Sequence, residues 1–196
     1  MPDMMDREKS ITDAATTVFL RYGVKRTTMN DIAQEAGISR QTLYNAFGNK
    51  DDVLRALIRD FADNAIASVR DDCAKAETLS ERLDALFRHM TIKPFDMLHS
   101  SPHADDILEG MNTAARDEIA LKQRDYEHLI GDILAPAAGA IEAQGLTIAR
   151  LSEHIYCAAK GIKLHASSQR HLRDMLEVLK LTIMKLAGHP SESEPS

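Results

Sequence analysis

The chain has 196 residues, 44% hydrophobic and 28% charged, enough apolar content to exclude wholesale disorder and a length that fits one domain or two small ones. No apolar run approaches the roughly 18 residues of a membrane helix, and the opening MPDMMDREKS mixes both charge signs, so no membrane partner is expected and a cytoplasmic location is. The formal net charge is −6, but residues 1–50 hold seven Lys/Arg against six Asp/Glu, net +1, and the rest hold 17 against 24, net −7; a polyanion would meet the N-terminal quarter and be repelled elsewhere.

Strand patterning is absent, and helical periodicity recurs throughout, so the expected fold class is all-α. Ile11, Ala14, Ala15, Val18, Phe19 and Tyr22 form one apolar stripe that stops at Gly23. Thr28 reads as an N-cap with Asp31 three residues on, and Met29, Ile32, Ala33 and Ala36 as the buried face of a short helix ended by Gly37. Ser39 caps a third helix, Arg40 to Phe47, which buries Leu43 and Phe47. Asn49 caps a fourth that keeps its period to about residue 75, with Asp51 and Asp52 in its first turn. Further on, a helix is expected from Ser80 to about Thr91, with a break at Pro94. Ser101 and Pro102 read as the N-cap and first residue of another, interrupted or bent near Gly110. A long segment from Thr113 to about Gly145 is expected to kink or join at Pro136 and Gly139. Leu151–Ser167 and Arg170–Ala187 close the chain as an antiparallel pair, and the polar tail from residue 189 reads as disordered.

Two short helices meeting at a Gly-containing turn project the second from the surface, the arrangement that enters a DNA major groove. Its outward face would offer Arg40, Gln41, Thr42, Tyr44 and Asn45. Arg and Gln suit bidentate bonds to guanine and adenine edges, and Thr suits a thymine methyl or a phosphate. Tyr44 and Lys50 suit phosphate, as do the free N–H groups after Thr28. Two bland alternatives stand beside these: Met29 fits the core as well as it fits an approach to DNA, and the Tyr44 ring can pack on the first helix.

Residues 11–54, I..AA..VF...GV..TTM.DIA.EAGIS..TLY..F.NK.DVL, resemble the N-terminal domain of TetR-family transcriptional regulators. The resemblance implies DNA contact by Thr28, Met29, Arg40, Gln41, Thr42, Tyr44 and Lys50, a homodimer acting on double-stranded operator DNA, and a C-terminal domain controlled by a small-molecule effector; no catalysis and no cofactor are expected. The division expected is residues 1–52 for the DNA-binding domain and 53–188 for regulation and dimerisation. Residues 76–196 match no effector class, and Phe87, Met90, Phe95, Met97, Leu98, Met111, Tyr126 and Tyr156 serve equally as pocket lining or as core.

In the last two helices Ile155, Ala158, Ala159 and Ile162 face Leu172, Met175, Leu176, Leu179 and Ile183, with Val178 and Leu181 widening the second stripe beyond what one core needs. That width suits a dimer interface of two helices per subunit, the alternative being a wholly internal hairpin. His99, His103, Asp105, Asp106 and Glu109 raise a metal site as a rival reading. Pro102 keeps the two histidines off a common helical face, and the aspartates suit a first turn, so no metal is expected.

Overall fold

The computed structural model describes residues 4–189, with side chains from residue 6. The expected tail from residue 190 onward lies outside that range. Among the described residues all regular structure is helical: α1 (Met4–Tyr22), α2 (Met29–Glu35), α3 (Arg40–Ala46), α4 (Lys50–Cys73), α5 (Leu79–Phe87), α6 (Lys93–His99), α7 (Ala104–Ala114), α8 (Arg116–Leu134), α9 (Ala138–Ala143), α10 (Ile148–His165) and α11 (Gln169–Leu186). No described helix is long and apolar enough to cross a membrane.

The chain forms two compact units. One comprises residues 4–64 and 97–122, the other 65–96 and 123–189. In the first, Ile11, Ala15 and Phe19 of α1 close over Met29, Ile32 and Ala33 of α2, Leu43 of α3, and Val53, Leu54 and Leu57 of α4. Each large apolar side chain removed from water there contributes about 1.5–3 kcal/mol. Ile107 of α7 belongs to the same core, and Leu98, Met111 and Ala114 pack on it. The unit around the short helices therefore reaches past the residue-52 boundary and takes in residues 97–122 as well.

That segment is held by specific contacts. An added Cβ on Gly110 would lie 2.7 Å from Val24 Cγ1, so glycine here admits Val24 against α7, and the helix runs through Gly110 without the expected interruption. Ser101 does not cap α7. Its hydroxyl donates to Leu20 O (2.7 Å) and accepts from His103 N–H (3.0 Å), while His103 takes the N-cap position without a side-chain bond. Arg59 clasps the Glu118 carboxylate through two bonds of 2.9 and 3.0 Å, and Arg55 donates to Ala114 O.

In the second unit α5 starts at Leu79, one residue before the expected Ser80, with Thr78 as its N-cap. Thr78 accepts from Glu81 N–H while the Glu81 carboxylate accepts from Thr78 N–H, a reciprocal capping box. Pro94 does not break the chain. A π-helical turn over Arg88–Ile92 leads into α6, and Pro94 falls in the first turn of α6, where an N–H is dispensable. Pro136 does mark a join, a 3-10 turn over Ala135–Ala137 between α8 and α9. The core of this unit includes Leu83, Leu86, Phe87, Ile130, Leu134, Ile155, Leu172 and Ile183.

Candidate nucleic-acid interface

The N-terminus of α2 is built by Thr28. Its hydroxyl accepts from Asp31 N–H (3.3 Å), and the Asp31 carboxylate accepts from Thr28 N–H (2.8 Å). Donation to the carboxylate by the Thr28 backbone N–H, and then by the Thr28 hydroxyl (2.8 Å), holds the Asp31 carboxyl below the usual carboxylate range. The helix ends in a Schellman motif: Ile38 N–H reaches Ala33 O (3.0 Å) and Gly37 N–H reaches Gln34 O (3.2 Å). Gly37 sits at φ +65°, with open space where a side chain would go, so it is the left-handed backbone and not crowding that calls for glycine.

This turn aims α3. Ser39 caps it by accepting from Thr42 N–H (3.0 Å), and Leu43 and Phe47 anchor one side in the core. The opposite side is exposed and carries Arg40, Gln41, Tyr44 and Asn45. These are not loose. The Arg40 guanidinium lies 5.7 Å from the Tyr44 ring centroid, and Gln41 Nε2 donates to Asn45 Oδ1 at 2.9 Å. Two i, i+4 pairs thus stiffen one outward surface of a two-turn helix. Tyr44 is 42% exposed. Thr42 is half-buried and shares its hydroxyl with Ser39 (2.8 Å).

Two of the expected contacts have other duties. Met29 is buried at 8% exposure among the core residues, which places it with the packing and not with an outward surface. Lys50, half-buried at the start of α4, folds its ammonium back onto the α1–α2 turn and donates to Val24 O (2.6 Å) and Thr27 O (2.9 Å). Sequence spacing offered no sign of this brace, because its acceptors are backbone carbonyls 23 and 26 residues away. The other basic residues nearby divide as well. Lys25 is engaged by Glu109 (2.8 Å), which raises its pKa, and Arg21 by Glu35 (3.3 Å); Arg26 is exposed.

The eight effector-pocket candidates are divided between the two units. Phe87, Met90, Phe95, Tyr126 and Tyr156 are buried in the second unit. Met97, Leu98 and Met111 belong to the first, where Leu98 and Met111 pack against its core. The interface candidates also separate. Ile155, Ala159, Leu172, Leu176, Leu179 and Ile183 are buried within their own unit, so those rows close an internal hairpin of α10 on α11. Ala158 and Ile162 are half-buried, and Met175 is 37% exposed. The apolar groups left outward are Leu164 at 46%, Val178 at 54% and Leu181 at 41%. The free surface is thus turned away from the row the periodicity singled out. His103 and Asp105–Asp106 occupy the first turn of α7, and no group of three or more metal-ligating side chains comes together among the described residues.

Residues 11–57 match the family described as bacterial regulatory proteins, tetR family. Among curated relatives, the HTH-type transcriptional repressor KstR2 of Mycobacterium tuberculosis is 35% identical over 81 residues, 41% of this chain and 40% of its own length. KstR2 of Rhodococcus jostii is 30% identical over 126 residues, 64% of this chain and 53% of its own length. The chain thus matches about half or less of the length of these relatives, and both matches are to regulators rather than enzymes. A TetR-family regulator structure from Syntrophomonas wolfei superposes with a TM-score of 0.69 at 18% identity, over 98% of this chain and all of that one, a likeness of fold.

Proposed function

The chain belongs to the tetR family of bacterial regulatory proteins, and from that premise we propose that it is an effector-controlled transcriptional repressor that binds palindromic operator DNA as a homodimer. The observation that carries the reading is the outward surface of α3. Arg40, Gln41, Tyr44 and Asn45 stand exposed and mutually paired on a helix whose other side is locked into the core. Arg40 and Gln41 would read base edges, and Tyr44, Thr42 and Lys50 would hold phosphates together with the free N–H groups at the start of α2.

The second copy is proposed to seat on the face of Leu164, Met175, Val178 and Leu181, closing a four-helix interface about a two-fold axis. Two reading helices related by that axis require half-sites about one helical turn or somewhat more apart. The C-terminal unit would hold the effector. A ligand that prefers the subunit pair in a spacing unfit for DNA weakens operator binding by the same factor that DNA weakens ligand binding, commonly about 1–3 kcal/mol. The α4 helix contributes residues 50–64 to one compact unit and 65–73 to the other, which makes it the covalent lever between them. The proposed place of work is the cytoplasm, where the operator is.

Selection of bound fragments from a random duplex pool tests the reading. A palindrome with two equal half-sites is expected. Recovery of no motif, or of one without symmetry, would contradict it.

A further inference from the structure

The exposed side chains of α3 differ in how much of their hydrogen-bonding capacity they keep. A guanidinium has five N–H donors, a hydroxyl one donor, and an amide one carbonyl acceptor with two N–H donors. Arg40 is steadied by the face of the Tyr44 ring, 5.7 Å from its centroid, a contact that spends no N–H. It therefore keeps the two-pronged donor edge that matches guanine O6 and N7. The Thr42 hydroxyl is occupied by Ser39 Oγ at 2.8 Å. Gln41 differs from both. Its Nε2 donates to Asn45 Oδ1 at 2.9 Å, one helical turn on, and both residues are exposed.

A free glutamine amide turns either end toward a base. With carbonyl and N–H forward it matches adenine, whose N6–H donates and whose N7 accepts; with the NH2 group forward it donates to guanine N7 or O6. The bond to Asn45 removes that freedom. One N–H is spent along the helix surface and the amide is held in one orientation, so Gln41 keeps one acceptor and one donor. That remainder complements adenine and suits the two acceptors of guanine poorly. A side chain already held also loses less rotamer freedom when it meets the base.

We infer that Asn45 is a positioning residue for base recognition: by accepting from Gln41 it makes Gln41 a reader of adenine and sets adenine over guanine at one base pair of each half-site. This rests on the proposed binding of operator DNA through α3, and it assigns the discrimination at that base pair to a residue that need not touch the base.

The test uses the full chain and the duplex recovered by selection, with the four base pairs exchanged in turn at each position of both half-sites and binding read by fluorescence anisotropy. Q41A marks the pair that Gln41 reads, as the position where the preference disappears. At that pair the unaltered protein is expected to favour A·T over G·C by about tenfold or more. N45A keeps Gln41 but frees its amide, and the ratio is expected to fall to about threefold or less at that pair alone. N45L, of similar size and without an acceptor, repeats the comparison with the bulk retained. N45D, whose carboxylate accepts from Gln41 as the amide does, is expected to keep the ratio while weakening all duplexes alike through its charge. Q41E, with acceptors only, is expected to move the preference to C·G, because cytosine N4 donates. A purely structural role for Asn45 would lower binding to every duplex together and leave the ratio unmoved. A parental ratio retained in folded N45A or N45L, no position altered by Q41A, or a parental preference for guanine at the Gln41 pair overturns the inference and leaves operator binding standing. Failure of the unaltered protein to select any motif sinks operator binding and the inference with it.

Discussion

Lys50→Met separates the two duties assigned to one side chain. Methionine keeps the aliphatic stem but removes both donors to Val24 O and Thr27 O, at 2.6 and 2.9 Å. Hydrogen bonds from a charged donor contribute about 1.5–3 kcal/mol each in mutational series. Because Lys50 itself is only half-buried, about 2 kcal/mol for the pair together is the appropriate magnitude. The loss reaches function through chain connectivity. Thr27 immediately precedes the N-cap of α2, so loosening the turn loosens the helix start that would face phosphate. Urea unfolding followed by far-ultraviolet circular dichroism, at one fixed protein concentration, reads the stability. Fluorescence anisotropy on the selected duplex at several salt concentrations reads the contact. The expected result is a lower midpoint at unchanged slope, an affinity loss that is uniform over operator variants, and a salt dependence shallower by about one phosphate. An unchanged midpoint would refute the brace, and a loss confined to one base position would refute the phosphate role.

Gly110→Ala should gain helix propensity yet lose about 1 kcal/mol net, because the new methyl meets Val24 Cγ1, Cβ and Cγ2 at 2.7, 3.0 and 3.2 Å; combining it with Val24→Ala should recover part of that loss in a double-mutant cycle. Val178→Asp with Leu181→Asp should yield a folded monomer in sedimentation velocity, since both side chains are exposed in the isolated chain, whereas Leu172→Asp, at 0% exposure, should unfold it. Thr28→Ala should cost about 1 kcal/mol through the lost cap. Thr28 depresses the Asp31 pKa in the folded state, so the Asp31 contribution is present above the ordinary carboxylate pKa and fades as acidification passes down through the depressed one. The stability gap between the Thr28→Ala variant and the parent should therefore narrow below about pH 4.

What could be read from sequence was local. Thr28, Ser39 and Thr147 occupy positions where a hydroxyl three residues ahead of a backbone N–H closes a ring; the first two were legible for that reason, and Gly37 because a left-handed residue is nearly always marked by its type. The start of α5 lies one residue before the expected Ser80, because Thr78 with its partner Glu81 forms the cap. Periodicity located the apolar stripes of α10 and α11 but not their sense. Leu172, Leu176, Leu179 and Ile183 keep the helical period whether they face their own unit or a partner, and the structure turns them inward. The expected outward face of α3 needed only Leu43 and Phe47 as anchors, so its exposed residues followed at once. The attachment of residues 97–122 to the reading helices was illegible, because Val24 against Gly110, Lys25 on Glu109 and Ser101 on Leu20 join residues about 80 apart and leave no periodic trace.

The central claim is that α3 lies in the major groove, once per subunit. Dimethyl sulfate reports this directly, since it methylates guanine N7 in the major groove and adenine N3 in the minor groove of the same duplex. On the selected duplex guanine N7 is expected to be shielded in two equal patches related by the dyad, with adenine N3 left reactive within them. Shielding of adenine N3 in place of guanine N7, or a single unrepeated patch, would contradict it.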